Sequence, residues 1–306
     1  MKIIDQYVGN GYQLINGDTC EIITAIPNES IHFEVYSPPF SSLYTYSNSD
    51  RDLGNSKNDK QFFEHFHFIT KELFRILKPG RIMAVHCMNI PASKERDGYI
   101  GLKDFRGQLI REFESVGFIY HGEVTIWKDP VTQMQRTKAL GLLHKQIKKD
   151  SCRSRMGLPD YVIIMRKDGE NMEPVTHTME TYPVSEWQEV ASPVWDYENS
   201  PIWWDINPSD TLNVKAARDG RDERHICPLQ LPVINRLLKL YTNENDIVFT
   251  PFMGIGSEVY EAVKSGRRGL GIELKETYYK CAIDNLKMLD NEKSQLSIFD
   301  FIGEVG

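Results

Sequence analysis

The chain has 306 residues, 41% of them hydrophobic and 26% charged, with a formal net charge of −7. That size and apolar share suffice for one large α/β body or two domains with a full core, and they exclude a disordered or fibrous chain. No run reaches the roughly 18 apolar residues of a membrane helix, no apolar signal-like stretch opens the chain, and the five cysteines are scattered without a Cys-x-x-Cys pair, so a reducing, cytoplasmic compartment is expected and a zinc site is not.

In chain order, residues 13–18 read as a short strand ending in a Gly17-Asp18 turn, and residues 20–26 carry helical spacing that Pro27 stops. Residues 31–36 are β-prone and end at Ser37-Pro38-Pro39-Phe40, ahead of a polar loop over 41–60. Residues 61–77 place Phe62, Phe66, Ile69, Leu73, Ile76 and Leu77 at helical spacing, and Lys78-Pro79-Gly80 should end that helix. A buried strand over 81–87, a helix over 105–115 stopped by Gly117, and strands over 118–127 and 161–166 follow.

Between the last two strands the character changes. Residues 128–158 hold eight Lys and Arg against Asp129 and Asp150, which is +6 in a chain whose remainder carries −13. Such a segment is the electrostatic footprint of a surface that meets phosphate, or else a solvated helix face. Residues 170–224 hold four of the five tryptophans, many acids and no regular period, which reads as an inserted recognition or oligomerisation element and not a linker. Its stretch 218–224 carries three arginines that face either DNA or solvent.

Regular alternation then resumes: a helix opening at 225–232, a strand over 246–250, a glycine turn from Pro251 to Ser257, a helix over 258–265, a strand over 268–273 that ends in Glu273, and a closing helix over 276–290. The alternation implies a mainly parallel sheet with helices on both faces. Residues 1–127, 160–169 and 225–295 should form the catalytic and cofactor-binding body, with 128–159 and 170–224 inserted as a DNA-recognition or oligomerisation region.

Two stretches carry chemistry. In Ser37-Pro38-Pro39-Phe40 the prolines fix φ and donate no N–H, so a hydroxyl, a free carbonyl and a flat ring sit together at a strand end. That set suits a planar heterocycle held by its face, its amino group bonded to the two oxygens. In the second, Gly254-x-Gly256 lies between strand and helix, with Glu273 nineteen residues past Gly254 at the end of the next strand. The glycines allow a tight turn and a close ligand, and the acid is placed to accept from ribose hydroxyls. The missing third glycine favours an adenosine-type cofactor over a dinucleotide.

In this order the two stretches are specific. The chain resembles the β group of amino-methylating DNA methyltransferases, in which the catalytic motif precedes the S-adenosylmethionine motif. The resemblance implies a Rossmann-like methyltransferase fold with permuted motif order and an inserted target-recognition region. It implies a site-specific enzyme on double-stranded DNA, as a homodimer or a monomer, moving a methyl group to adenine N6 or cytosine N4 of a flipped base by direct attack. Ser37, Pro38, Pro39 and Phe40 would then be catalytic. Asp18 would reach the cofactor adenine, His225, Pro228, Gln230 and Pro232 would flank its methionine end, Phe252, Gly254, Gly256 and Ser257 would form its loop, and Glu273 would hold its ribose. Lys138, Lys145, Lys148, Lys149, Arg153 and Arg155 would contact DNA. Thr250 departs from the family's usual Asp, and Ser37 replaces the Asp most common in adenine enzymes. RNA or protein-glutamine methyltransferases, which usually place such a turn after the cofactor loop, and a non-catalytic DNA-binding regulator are the alternatives.

Overall fold

The computed structural model describes residues 2–40, 53, 56, 58–137, 140–154, 157–191, 202–203, 205–213 and 228–303. Its strands are β1 (Ile3–Gly9), β2 (Tyr12–Gly17), β3 (Ile31–Tyr36), β4 (Leu77–Met88), β5 (Ile90–Ala92), β6 (Gly101–Lys103), β7 (Phe118–Ile126), β8 (Asp160–Lys167), β9 (Ile202–Trp203), β10 (Ile247–Thr250) and β11 (Arg268–Glu273). Its helices are α1 (Thr19–Ile22), α2 (Asp59–Ile76), α3 (Lys94–Asp97), α4 (Phe105–Ser115), α5 (Pro130–Thr137), α6 (His144–Asp150), α7 (Val184–Ala191), α8 (Leu231–Tyr241), α9 (Ser257–Lys264) and α10 (Glu276–Gly303).

Nine strands form one sheet in the order β1-β2-β11-β10-β3-β4-β8-β7-β9, and β5 pairs with β6 apart from it. From β2 to β4 every pairing is parallel. β8 then enters antiparallel between β4 and β7. The parallel strands are buried on both faces, so β3 and β10 read as nearly continuous apolar runs. Strand alternation still divides them. Tyr36, Met83, Val85 and Phe249 face α2 and α4, where Phe62, Phe66, Leu73, Phe105 and Phe113 are buried. Phe33, Val35, Ala84, Val162 and Val248 face α8 and α9, against Val233, Leu237, Leu238 and Ala262. The first half of α10 covers the β2 side through Tyr279, Ala282 and Leu286.

Several boundaries differ from those the sequence suggests. α2 starts at Asp59 because Asn58 caps it, its Oδ1 accepting from Gln61 N at 3.0 Å. β4 begins directly after that helix, so Lys78-Pro79-Gly80 ends α2 and opens a strand, with Gly80 at φ +71°. α10 continues to Gly303 and takes in the Ser-Ile-Phe-Asp-Phe tail. β1, a hairpin partner of β2, is an element the sequence reading lacks. The described parts of the 170–224 segment lie against the body. Trp203 pairs beside Ile126, is buried, and carries the Arg236 guanidinium over its ring at 5.2 Å. Glu186 of α7 pairs with Lys239 of α8.

Candidate active site

The parallel strands β2, β11, β10, β3 and β4 all point their carboxyl ends to one edge, where ligands bind in open α/β sheets. Gly17-Asp18 follows β2, Glu273 ends β11, Pro251 to Gly256 follows β10, and Ser37 follows β3. The register Tyr36↔Val85 sets Ser37 beside His86 of β4. β8, running the other way, brings its first residue, Asp160, opposite Met88. Two stretches more than two hundred residues apart in sequence are thus neighbours because β3 pairs with β10.

The glycine loop is held from three sides. Gly254 N donates to Glu273 Oε2 at 2.8 Å, and Lys275 N donates to Glu273 Oε1 at 2.8 Å. Thr19 Oγ1 donates to the Pro251 carbonyl at 2.6 Å, and Asn16 Nδ2 to the Glu273 carbonyl at 2.8 Å. The buried Asn285 of α10 donates to the Ile255 carbonyl at 3.0 Å. Gly254 (φ +55°) and Gly256 (φ +91°) both sit in the left-handed region. A Cβ on Gly256 would stand 3.0 Å from Ala282, whereas one on Gly254 would meet nothing within 4 Å. The second glycine therefore serves helix packing, and the first faces open space where a ligand can approach.

The residues around that space fit an adenosine-type cofactor. Thr250 Oγ1, Ser257 Oγ and Gln230 Oε1 are buried without a hydrogen-bond partner, on three elements that meet at the carboxyl end of β10, since α8 precedes that strand and α9 follows it. Buried polar atoms are costly unless paired, so these three await a polar ligand. Gln230 sits at the N-cap of α8, with a proline in the first turn. Asp18 caps α1 by accepting from Cys20 N at 2.9 Å, at the turn beside Pro251. His225 lies outside the described residues. Glu258, in the first turn of α9, was not foreseen: it is 4% exposed, and burial, reinforced by the charge of Glu273, pushes its carboxyl up to about 8.

Phe252 joins the two motifs. Its ring packs against Tyr36, the residue before Ser37, at 5.9 Å and against Phe66 of α2 at 6.3 Å. Phe40 is half-buried and leans on Phe105 with centroids 6.1 Å apart. Ser37 Oγ lies 3.2 Å from His86 Nδ1 and 3.3 Å from the His86 carbonyl. His86 Nε2 is 2.9 Å from Asp160 Oδ2, and Lys128 Nζ pairs with the same oxygen. Burial opposes ionisation of Asp160, but Lys128 and His86 outweigh it and hold its carboxyl below the usual range. Lys128, one of the eight bases of the 128–158 segment, is therefore turned inward and is not part of the outer charge.

The rest of that segment leaves the sheet after β7 and returns at Asp160, so it stands at the same edge as Ser37. Lys145, Lys148 and Lys149 of α6 are exposed, as is Arg153, which pairs with Asp150 at 3.2 Å. Lys138, Arg155 and the arginines of 218–224 lie outside the described residues. On β3 and β10 at the amino end, His32, Glu173 and Asp246 approach one another closely enough to hold a cation. Lys78 and Arg81 already occupy those oxygens and the imidazole, which makes the cluster an ion-pair network.

A family model described as DNA methylase, of the N6/N4 methyltransferases, matches residues 31–284. The chain belongs to this family. It is an S-adenosylmethionine-dependent DNA methyltransferase, with the Rossmann-like fold expected of one. The Type II beta methyltransferase M.BslI of Bacillus sp. (strain NEB-606) is 25% identical over 281 residues, covering 90% of this chain and 28% of its own length. The Type II methyltransferase M.MjaI of Methanocaldococcus jannaschii is 21% identical over 299 residues, covering 88% of this chain and 89% of that one. Among solved structures, the DNA modification methylase TTHA0409 of Thermus thermophilus, complexed with S-adenosyl-L-methionine, has a TM-score of 0.64 at 20% identity, over 89% of this chain and 93% of that one. That is a likeness of fold. The chain spans little more than a quarter of M.BslI and most of M.MjaI. Among the described residues no helix is long and apolar enough to cross a membrane.

Proposed function

We propose that Ser37, the Pro38 carbonyl and Phe40 hold the exocyclic amino group of a base, adenine N6 or cytosine N4, flipped out of double-stranded DNA. The observation that carries this reading is the adjacency of the Ser37 turn and the glycine loop at the ends of paired strands, with Phe252 packed against Tyr36. An exocyclic amino nitrogen is a poor nucleophile because its lone pair is delocalised into the ring. Ser37 Oγ and the Pro38 carbonyl accept its two N–H bonds, draw it toward tetrahedral geometry and localise that pair. Phe40 stacks on the base, worth roughly 1–3 kcal/mol, against an unstacking cost of a few kcal/mol. Bound S-adenosylmethionine supplies an electrophilic methyl group. Gly254, Thr250, Ser257, Gln230, Asp18 and Glu273 would hold the cofactor, and the turn aligns the nitrogen for direct attack.

The exposed cations of α6 and Arg153 would bind DNA phosphates, and 170–224 would contribute to target recognition or to a homodimer. A cytoplasmic, nucleoid-associated setting accords with that substrate. The test is to methylate DNA with the purified protein, digest it to nucleosides and weigh the products. N4-methylcytosine or N6-methyladenine at one sequence is expected. 5-Methylcytosine, or methylated RNA or protein with unmodified DNA, would overturn the proposal.

A further inference from the structure

We infer that His86, backed by Asp160 and Lys128, is a positioning residue that makes Ser37 an acceptor toward the target and takes up the proton the amino group sheds. This inference rests on the role proposed for Ser37.

The chain of contacts settles the direction of each hydrogen. Asp160 is held ionised by Lys128, so its Oδ2 only accepts, and His86 Nε2 must donate to it. In the neutral imidazole Nδ1 is then an acceptor. Ser37 Oγ thus faces two acceptors on His86, Nδ1 at 3.2 Å and the backbone carbonyl at 3.3 Å. Whichever it chooses, the hydroxyl hydrogen is spent inward and the serine lone pairs remain for the amino group. A lone serine would be free to donate to the base instead. The whole arrangement is fixed by structure: His86 is 9% exposed and Asp160 1%, and both sit in register on paired strands.

The same chain moves a proton. As the amino nitrogen forms its new bond to the methyl carbon, and the methyl's bond to sulfur breaks with its electron pair left on sulfur, the nitrogen becomes cationic. It passes one proton to Ser37 Oγ while the serine's own hydroxyl proton moves to His86 Nδ1. The imidazolium so formed is stabilised by Asp160 and then returns its proton to water. Nothing is oxidised or reduced, and the methylated amine leaves neutral.

The first readout is nitrogen NMR of histidine-labelled protein. His86 should be the Nε2–H tautomer near neutral pH, and its Nδ1 resonance should move in Ser37→Ala. A His86 protonated on Nδ1 would overturn the inference. This arm holds whether or not DNA proves to be the substrate, so its failure is distinguishable from failure of the proposed function. The second readout is kinetic, on the full chain. His86→Ala should lower kcat by roughly 10²–10⁴-fold, with KM for DNA and cofactor affinity within about threefold, and added imidazole should restore part of the rate. His86→Asn keeps an acceptor and a donor of similar reach but cannot take the proton, so it should fold normally and still lose at least roughly tenfold in kcat. A wild-type rate in His86→Asn would overturn the proton role.

Discussion

Glu273 grips the backbone of the cofactor loop it faces: its Oε2 accepts from Gly254 N at 2.8 Å, while Oε1 accepts from Lys275 N at 2.8 Å. The acid thus shapes the glycine turn before any ribose reaches it. Each oxygen keeps a further lone pair for a ligand hydroxyl. Glu273→Ala should therefore remove both a ribose acceptor and a loop tether. A loss on the order of 1.5–3 kcal/mol in S-adenosylmethionine binding is expected by calorimetry, and unchanged affinity would contradict the assignment.

Thr250 offers a cleaner discrimination. Its hydroxyl is buried and unpartnered at the end of β10. Thr250→Val deletes the hydroxyl at nearly constant shape. If the hydroxyl waits for the cofactor, the variant should melt at the same temperature or higher without ligand, yet bind S-adenosylmethionine more weakly by about 1 kcal/mol. Equal affinity in both proteins would mean that Thr250 holds nothing.

Glu258 should make stability depend on pH. Its folded value is raised from 4.5 to about 8, so the native state binds more protons than the unfolded chain across that window. Its contribution is fully present below about 4.5 and is lost as pH rises through about 8, amounting to a few kcal/mol. The melting temperature of the wild type should fall between pH 5 and about 8.5 more steeply than that of Glu258→Gln. Parallel profiles would show that the carboxyl ionises freely.

Replacing Lys145, Lys148 and Lys149 of α6 by Ala should weaken binding to every DNA sequence alike. It should also flatten the salt dependence, by up to about 0.9 in slope for each phosphate no longer neutralised. An unchanged slope would move the phosphate-binding surface elsewhere on the chain.

Local signals carried most of the fold. Helical spacing placed α2 and α4, and the strand–glycine turn–helix–strand pattern placed β10, α9 and β11, because turn chemistry and periodicity act within a few residues. What stayed hidden depends on pairing across the sheet. Lys128 reads as one more base in a basic run, and only folding shows its partner Asp160, thirty-two residues on, at the start of β8. His86 gave a faint sign, a polar residue within the apolar run Met83-Ala84-Val85-His86-Cys87-Met88, but nothing in the sequence sets it beside Ser37. β1 was missed because Ile4 and Val8 remain exposed, 58% and 68%, so its apolar pattern points to no core. Glu258 looks like an ordinary acid at a helix start, and only the packing of α9 against the sheet makes it buried.

The most direct measurement is single-turnover methyl transfer by Ser37→Ala under saturating DNA and S-adenosylmethionine, with a fluorescent base analogue at the target to report flipping. Because the Ser37 interaction matters most at the transition state, the variant should bind both ligands and flip the base nearly as the wild type does while its chemical step slows by roughly 10²-fold or more. Phe40→Ala should instead also lose flipped population, since stacking acts in the ground state too. A normal chemical rate in Ser37→Ala would make the Ser37-Pro38-Pro39-Phe40 turn structural and contradict the account.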